Sequence, residues 1–172
     1  MKSIKLSLTV LALLLSASVS TFAQTDVEAT ATMTATVNLS ATDVAFGEIE
    51  VGNTASMDVS GVVTTAGAQG GSPSTGSITV ASTDPSGTIS MSWSATASLE
   101  NATGDAVTFT PSIDITAGPT ATNITSGNSF VHTTGVATVL TIYGDLTASS
   151  EAGAFSTETG TGTALTFTAS YL

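Results

Sequence analysis

The chain has 172 residues, with thirteen Asp and Glu against two Lys, one His and no Cys. Without cysteine it can form no disulfide, no thiolate metal site and no lipoprotein anchor. The excess of carboxylates argues against electrostatic binding to nucleic acid or anionic membranes, and 41% hydrophobic against 9% charged residues is not the composition of a disordered chain.

The first predicted element is an export signal. Lys2 and Lys5 precede the apolar run Leu6 to Leu15, which fades through Ser16–Ser20 into Thr21-Phe22-Ala23. That layout predicts a signal peptide over residues 1–23, cut after Ala23. The apolar run is well short of the ~20 residues a spanning helix needs, so no membrane insertion is expected after cleavage. Removing 23 of 172 residues leaves 149, enough for one domain with one core, and takes both Lys away. Thr supplies 32 of the remaining residues, with many Ser, Val and Gly and few long unbranched side chains. That composition favours a pleated surface over a helix and predicts an all-β fold.

The next segment alternates most strictly. Val27, Ala29, Ala31, Met33, Ala35, Val37 and Leu39 fall on one face, and Glu28, Thr30, Thr32, Thr34, Thr36 and Asn38 on the other. Period two predicts a strand with one apolar face, at ~43 Å about twice the usual length. Val44–Val51 reads as a short strand ended by Gly52-Asn53, and Ala55, Met57 and Val59 as another. Thr64–Gly76, rich in Gly, Ser and Ala, reads as a loop. Ile78 and Val80 form a strand closed by a turn at Asp84-Pro85-Ser86-Gly87, and Ile89, Met91, Trp93 and Ala95 place the only Trp inward. Asn101–Asp105 turns the chain into Val107, Phe109 and, past Pro111, Ile113 and Ile115. Residues 117–135 read as loose. Val136–Tyr143 and Leu146–Ala148 lead to Gly153-Ala154-Phe155, and a last strand spans Ala164–Leu172 with Leu165, Phe167, Ala169 and Tyr171 on one face. About eight or nine short strands at this spacing suit an immunoglobulin-like β-sandwich, with residues 24–42 an N-terminal strand and 43–172 the sandwich domain.

Little in the chain can do chemistry. His132 is the only base for a Ser nucleophile, and no G-x-S-x-G turn accompanies it. After Lys5 there is no Lys or Arg for a phosphate loop or an oxyanion. Glu48 and Glu50 lie two apart on one strand face and could serve as a glycosidase pair, but the more ordinary reading is a solvated face. Asp84 with Ser86, or Asn101 with Asp105, could offer oxygens to calcium, though neither has a calcium-loop spacing. The expectation is no enzyme, no cofactor and no metal site.

Asp43-Val44-Ala45-Phe46-Gly47-Glu48-Ile49, Leu140-Thr141-Ile142-Tyr143-Gly144-Asp145-Leu146-Thr147, Gly153-Ala154-Phe155 and the closing strand at Tyr171 together resemble a family of small exported bacterial β proteins known only as a domain of unknown function. More distantly, the chain is similar to cysteine-free pilins of chaperone–usher fimbriae. That resemblance implies a pilin-like sandwich passing through the periplasm to the cell surface, with a periplasmic chaperone and an outer-membrane usher as partners. It also implies self-association into a homopolymer by strand donation, with Val27, Ala29, Ala31, Met33, Ala35, Val37 and Leu39 as the donated face. The expected function is therefore a structural subunit of a surface fimbria or extracellular filament. The alternative is an exported adhesin or carbohydrate-binding module, for which only Trp93 and two Tyr could supply an aromatic platform.

Overall fold

Strands form where apolar side chains recur at every second residue, and also where backbone pairing captures segments with no such pattern. The structure, a computed structural model, describes residues 35–118 and 122–172. Among these residues there is no helix, and the sheets are antiparallel throughout. β1 (Leu39–Thr42) opens where the predicted N-terminal strand was to end. Residues 35–38 form no strand. There Asn38 is fastened through its N–H and Nδ2 to the Asp84 carboxylate, at 2.8 and 2.6 Å. Val27, Ala29, Ala31 and Met33 lie outside the described residues.

The predicted strand Val44–Val51 shrinks to β2 (Glu48–Ile49) and a bridge from Ala45 to Ser74. Gly47 interrupts it with φ 75°, where a Cβ would sit 2.5 Å from the Gly70 carbonyl oxygen. β3 (Ala55–Met57) buries Ala55 and Met57. It stops at Asp58, whose carboxylate accepts from the N–H groups of Ser60 and Val62 and turns Val59 out of the pattern. The predicted loop Thr64–Gly76 is corrected: β4 (Val63–Thr65) runs into it and β5 (Gln69–Gly70) lies inside it. Both are held by pairing with β3 and β2, which composition does not report.

β6 (Gly76–Val80) and β7 (Gly87–Trp93) follow the alternation of Ile78 and Val80, then Ile89 and Met91. β8 (Ala97–Glu100) and β9 (Ala106–Ala117) are joined by a turn that Asn101 closes, its Oδ1 accepting from the N–H groups of Thr103 and Asp105. Val107, Phe109, Ile113 and Ile115 all face inward, so parity is kept through Pro111. The loose region expected at 117–135 is also corrected. It contains β10 (Thr122–Ile124) and β11 (Ser129–His132), where Phe130 and His132 alternate inward and only the polar character of His hid the period. β12 (Thr138–Leu146) passes straight through Gly144, which lies against the Thr110 carbonyl where a side chain would not fit. β13 (Phe167–Tyr171) ends the chain with inward residues of the predicted parity.

β12 is the spine of the large sheet. One edge pairs with β9; the other pairs with β6 along Thr138–Ile142 and with β3 along Gly144–Leu146. β1 extends β6 and β4 extends β3, while β8 and β10 share the outer edge of β9. Pro111 falls between Phe109, the last residue opposite β8, and Ile113, the first opposite β10. A residue without an N–H is tolerated best where one edge has no partner. The second sheet is β11–β7–β13, and β2 with β5 forms a short ribbon. Met57, Ile78 and Leu140 from the large sheet and Ile89, Met91 and Phe130 from the small one belong to a single buried cluster. Each such side chain contributes about 1.5–3 kcal/mol through burial. The described residues form one compact unit, and since β1 is paired within it, that unit includes residues ahead of position 43.

Candidate functional site

The structure disperses the residues that could have made chemistry. His132 faces the core at 0% exposure, with Nδ1 at 2.9 Å from Thr138 Oγ1 and Nε2 buried without a hydrogen-bond partner. A base enclosed this way has no access to substrate, and no carboxylate orients it. Both carboxylate oxygens of Asp84 are taken by Asn38, and Asn101 Oδ1 is taken by its own turn. Asp105 in turn accepts from the hydroxyls of Ser149 and Ser150, so both candidate calcium sets carry hydrogen bonds within the chain. Among the described residues no three His, Cys, Asp or Glu gather as a metal site would require.

The aromatic residues are engaged too. Trp93 packs on Phe167 with ring centroids 6.2 Å apart, and Tyr171 donates its hydroxyl to the Pro85 carbonyl at 2.8 Å. Burial, reinforced by the nearby Asp84 charge, raises the Tyr171 pKa, and burial followed by a hydrogen bond to Asp114 does the same for Tyr143. None of the exposed large hydrophobic residues among those described is aromatic.

Two features do stand out. The first is a groove of about 650 Å³ between residues 44–53 and 147–155. The Phe46-Gly47 and Gly153-Ala154-Phe155 motifs, over a hundred residues apart in sequence, both line it. Its floor is Leu99, Val107 and Leu146, on the inner face of the large sheet beside Phe109. Phe46 closes one wall by setting its ring edge-on to Phe109, at 5.6 Å and 74°. The walls are tied where Gly52 N–H donates to the Ser149 carbonyl at 2.9 Å. The Ser149 hydroxyl in turn donates to Asp105 at 2.7 Å, and this bond is the chief cause holding the Asp105 carboxyl below its ordinary value of 3.8. Glu48 and Glu50 lie on the rim, with one Glu50 oxygen accepting from Ala68 N–H at 2.8 Å. The floor residues carry no sequence signal of their own, because each reads as an ordinary inward strand residue.

The second feature is the outer edge of β13. Ser94 N–H donates to the Thr166 carbonyl and Leu172 N–H to the Thr88 carbonyl, so even-numbered residues bond to β7. The backbone groups of Phe167, Ala169 and Tyr171 therefore point away from it. Among the described residues no strand pairs with that edge. The inward side chains of Phe167, Ala169 and Tyr171 pack on the core but stay only half-buried. Of the predicted donor face, Ala35 is exposed, Val37 is half-buried against the core, and Leu39 is 39% exposed within β1, in register with Val80.

No protein-family model, curated protein or solved structure matches the chain.

Proposed function

We propose that this protein is a non-enzymatic structural subunit of a bacterial surface fimbria or extracellular filament, exported through its N-terminal signal and built on a pilin-like β-sandwich. Subunits join by donor-strand complementation: of the expected donor face Val27–Leu39, the apolar residues Val27, Ala29, Ala31, Met33 and Ala35 of one copy complete the small sheet of the next, while Val37 and Leu39 stay with their own domain. The observation that carries this reading is the β13 edge, with its outward backbone groups unpaired among the described residues and its inward side chains half-covered. An added strand would satisfy both at once, since main-chain bonds give affinity and alternate side chains give register. Asn38 is clasped to Asp84 and Val37 packs on the core of its own domain, so a donated segment would have to lie ahead of residue 37.

The reading is tested by Met33→Asp, at the centre of the donated face. A carboxylate buried without a partner costs several kcal/mol, so assembly is abolished, whereas Thr34→Asp on the opposite face is mild. Electron microscopy of the purified protein and ladders in unheated detergent gels report the outcome. If Met33→Asp unfolds a monomer that never assembles, the strand completes its own domain and the filament reading fails.

A further inference from the structure

The groove between residues 44–53 and 147–155 plays no part in strand donation at β13, and its chemistry asks for a different occupant. Its floor is apolar, and Leu99 and Leu146 are only partly buried there. Its rim carries Glu48, Glu50 and Glu151, all exposed, and among the described residues no hydrogen bond holds the side chains of Glu48 or Glu151. After Lys5 the chain contains no Lys or Arg, so no cation downstream of that residue can neutralise them. The tie from Gly52 to Ser149 and the bond from Ser149 to Asp105 hold the walls in place. A volume of about 650 Å³ lies within the range of clefts that enclose a compact ligand.

We infer that this groove docks a short peptide segment of another protein in which apolar side chains alternate with Lys or Arg. The apolar side chains cover the exposed parts of Leu99 and Leu146, and the basic ones meet the three carboxylates, so area and charge are satisfied together. Charge also decides against the other occupants. A second copy of this chain offers only acidic or neutral segments after Lys5. Anionic lipid and nucleic acid meet the wrong sign. A neutral sugar would leave the carboxylates unpaired and, among the described residues, meet no aromatic side chain that is largely exposed. The partner is thus distinct from the filament's own subunits, and the inference goes beyond the filament reading.

The probe is a fluorescently labelled hexapeptide, Lys-Leu-Lys-Val-Lys-Leu, titrated with the protein at low salt and followed by anisotropy. The triple variant Glu48→Gln, Glu50→Gln, Glu151→Gln should weaken Kd by about tenfold, as expected for three rim ion pairs of modest strength. A control triple of equal charge change, Asp58→Asn, Asp145→Asn, Glu158→Gln, lies away from the groove and should change Kd by no more than about twofold, through bulk charge alone. Phe155→Ser should weaken binding without altering its salt dependence. All variants replace side chains outside the buried core, and thermal melts check that each is folded. Equal weakening by the two triples would reduce the effect to net charge and overturn the inference. So would unchanged binding by the groove triple, or equally tight binding of a peptide with Glu in place of Lys. Assembly ladders of the groove triple are expected to match those of the unaltered protein, so a failure here leaves the filament reading separately testable.

Discussion

β11 and β13 flank the same central strand, β7, yet the two edges of the small sheet are not alike. On the β11 side Phe130 and His132 are 6% and 0% exposed, and His132 is also bonded to Thr138 of the large sheet. On the β13 side Phe167, Ala169 and Tyr171 contact the same core but are only partly buried. Both strands have a full ladder to β7. Pairing to a neighbour therefore does not by itself bury a strand; something must also cover its flank. β11 has that cover from β12 and the loop at Thr134, whose N–H and hydroxyl bond to Ser86 Oγ and the Asp84 carbonyl. β13 lacks it among the described residues.

The comparison can be broken most sharply by truncating the shared centre and the open edge in turn. Met91→Ala removes a side chain at 0% exposure and should cost about 2–5 kcal/mol in urea unfolding. Phe167→Ala, at the half-covered edge, should cost about 1–2 kcal/mol in the monomer, since only part of its area leaves water. Equal losses at the two sites would mean that the β13 edge is as closed as the β7 centre.

A third effect, smaller than that of Met91→Ala, concerns the Asn38–Asp84 clasp, close to Tyr171 at the end of β13. Asp84→Ala leaves the Asn38 N–H without its acceptor and should lower stability by about 1–3 kcal/mol. It should also speed amide exchange at Asn38 and β1 while leaving β7 unchanged. A uniform loss of protection would show that β1 does not open separately from the core.

Where the sequence could be read and where it could not follows the range of the interactions. Side-chain parity is local, so Ile78 with Val80, Ile89 with Met91, and Val107 through Ile115 were legible as strands, as was the face of β13. β5 and β10 were not, because Gln69–Gly70 and Thr122–Ile124 are strands only by virtue of partners elsewhere in the chain. β11 was missed because its inward pair includes His132, a residue that looks polar until its neighbours enclose it. The groove was legible only in its two motifs. That Phe46 and Phe155 line one cleft depends on long-range pairing that no local pattern records.

The smallest expected effect is pH-dependent. Hydrogen bonding by Ser149 depresses the Asp105 carboxyl in the folded state, so its contribution to stability is complete above the ordinary value of 3.8 and is lost as pH falls through the lower folded value. Asp105→Asn should therefore lower stability slightly at neutral pH and flatten the acid limb of the profile, the two proteins converging once pH is below the folded value. A variant as acid-sensitive as the unaltered protein would show that the Ser149 contact does not persist in solution.

The most direct measurement of strand donation is residue-resolved amide exchange along β13, made on the monomer and on the assembled protein. Thr168 and Ser170 donate toward β7 and should be protected in both. Phe167, Ala169 and Tyr171 face the open edge; they should exchange quickly in the monomer and become protected on assembly. Protection of these three in the monomer, or fast exchange in the assembled protein, would contradict the account.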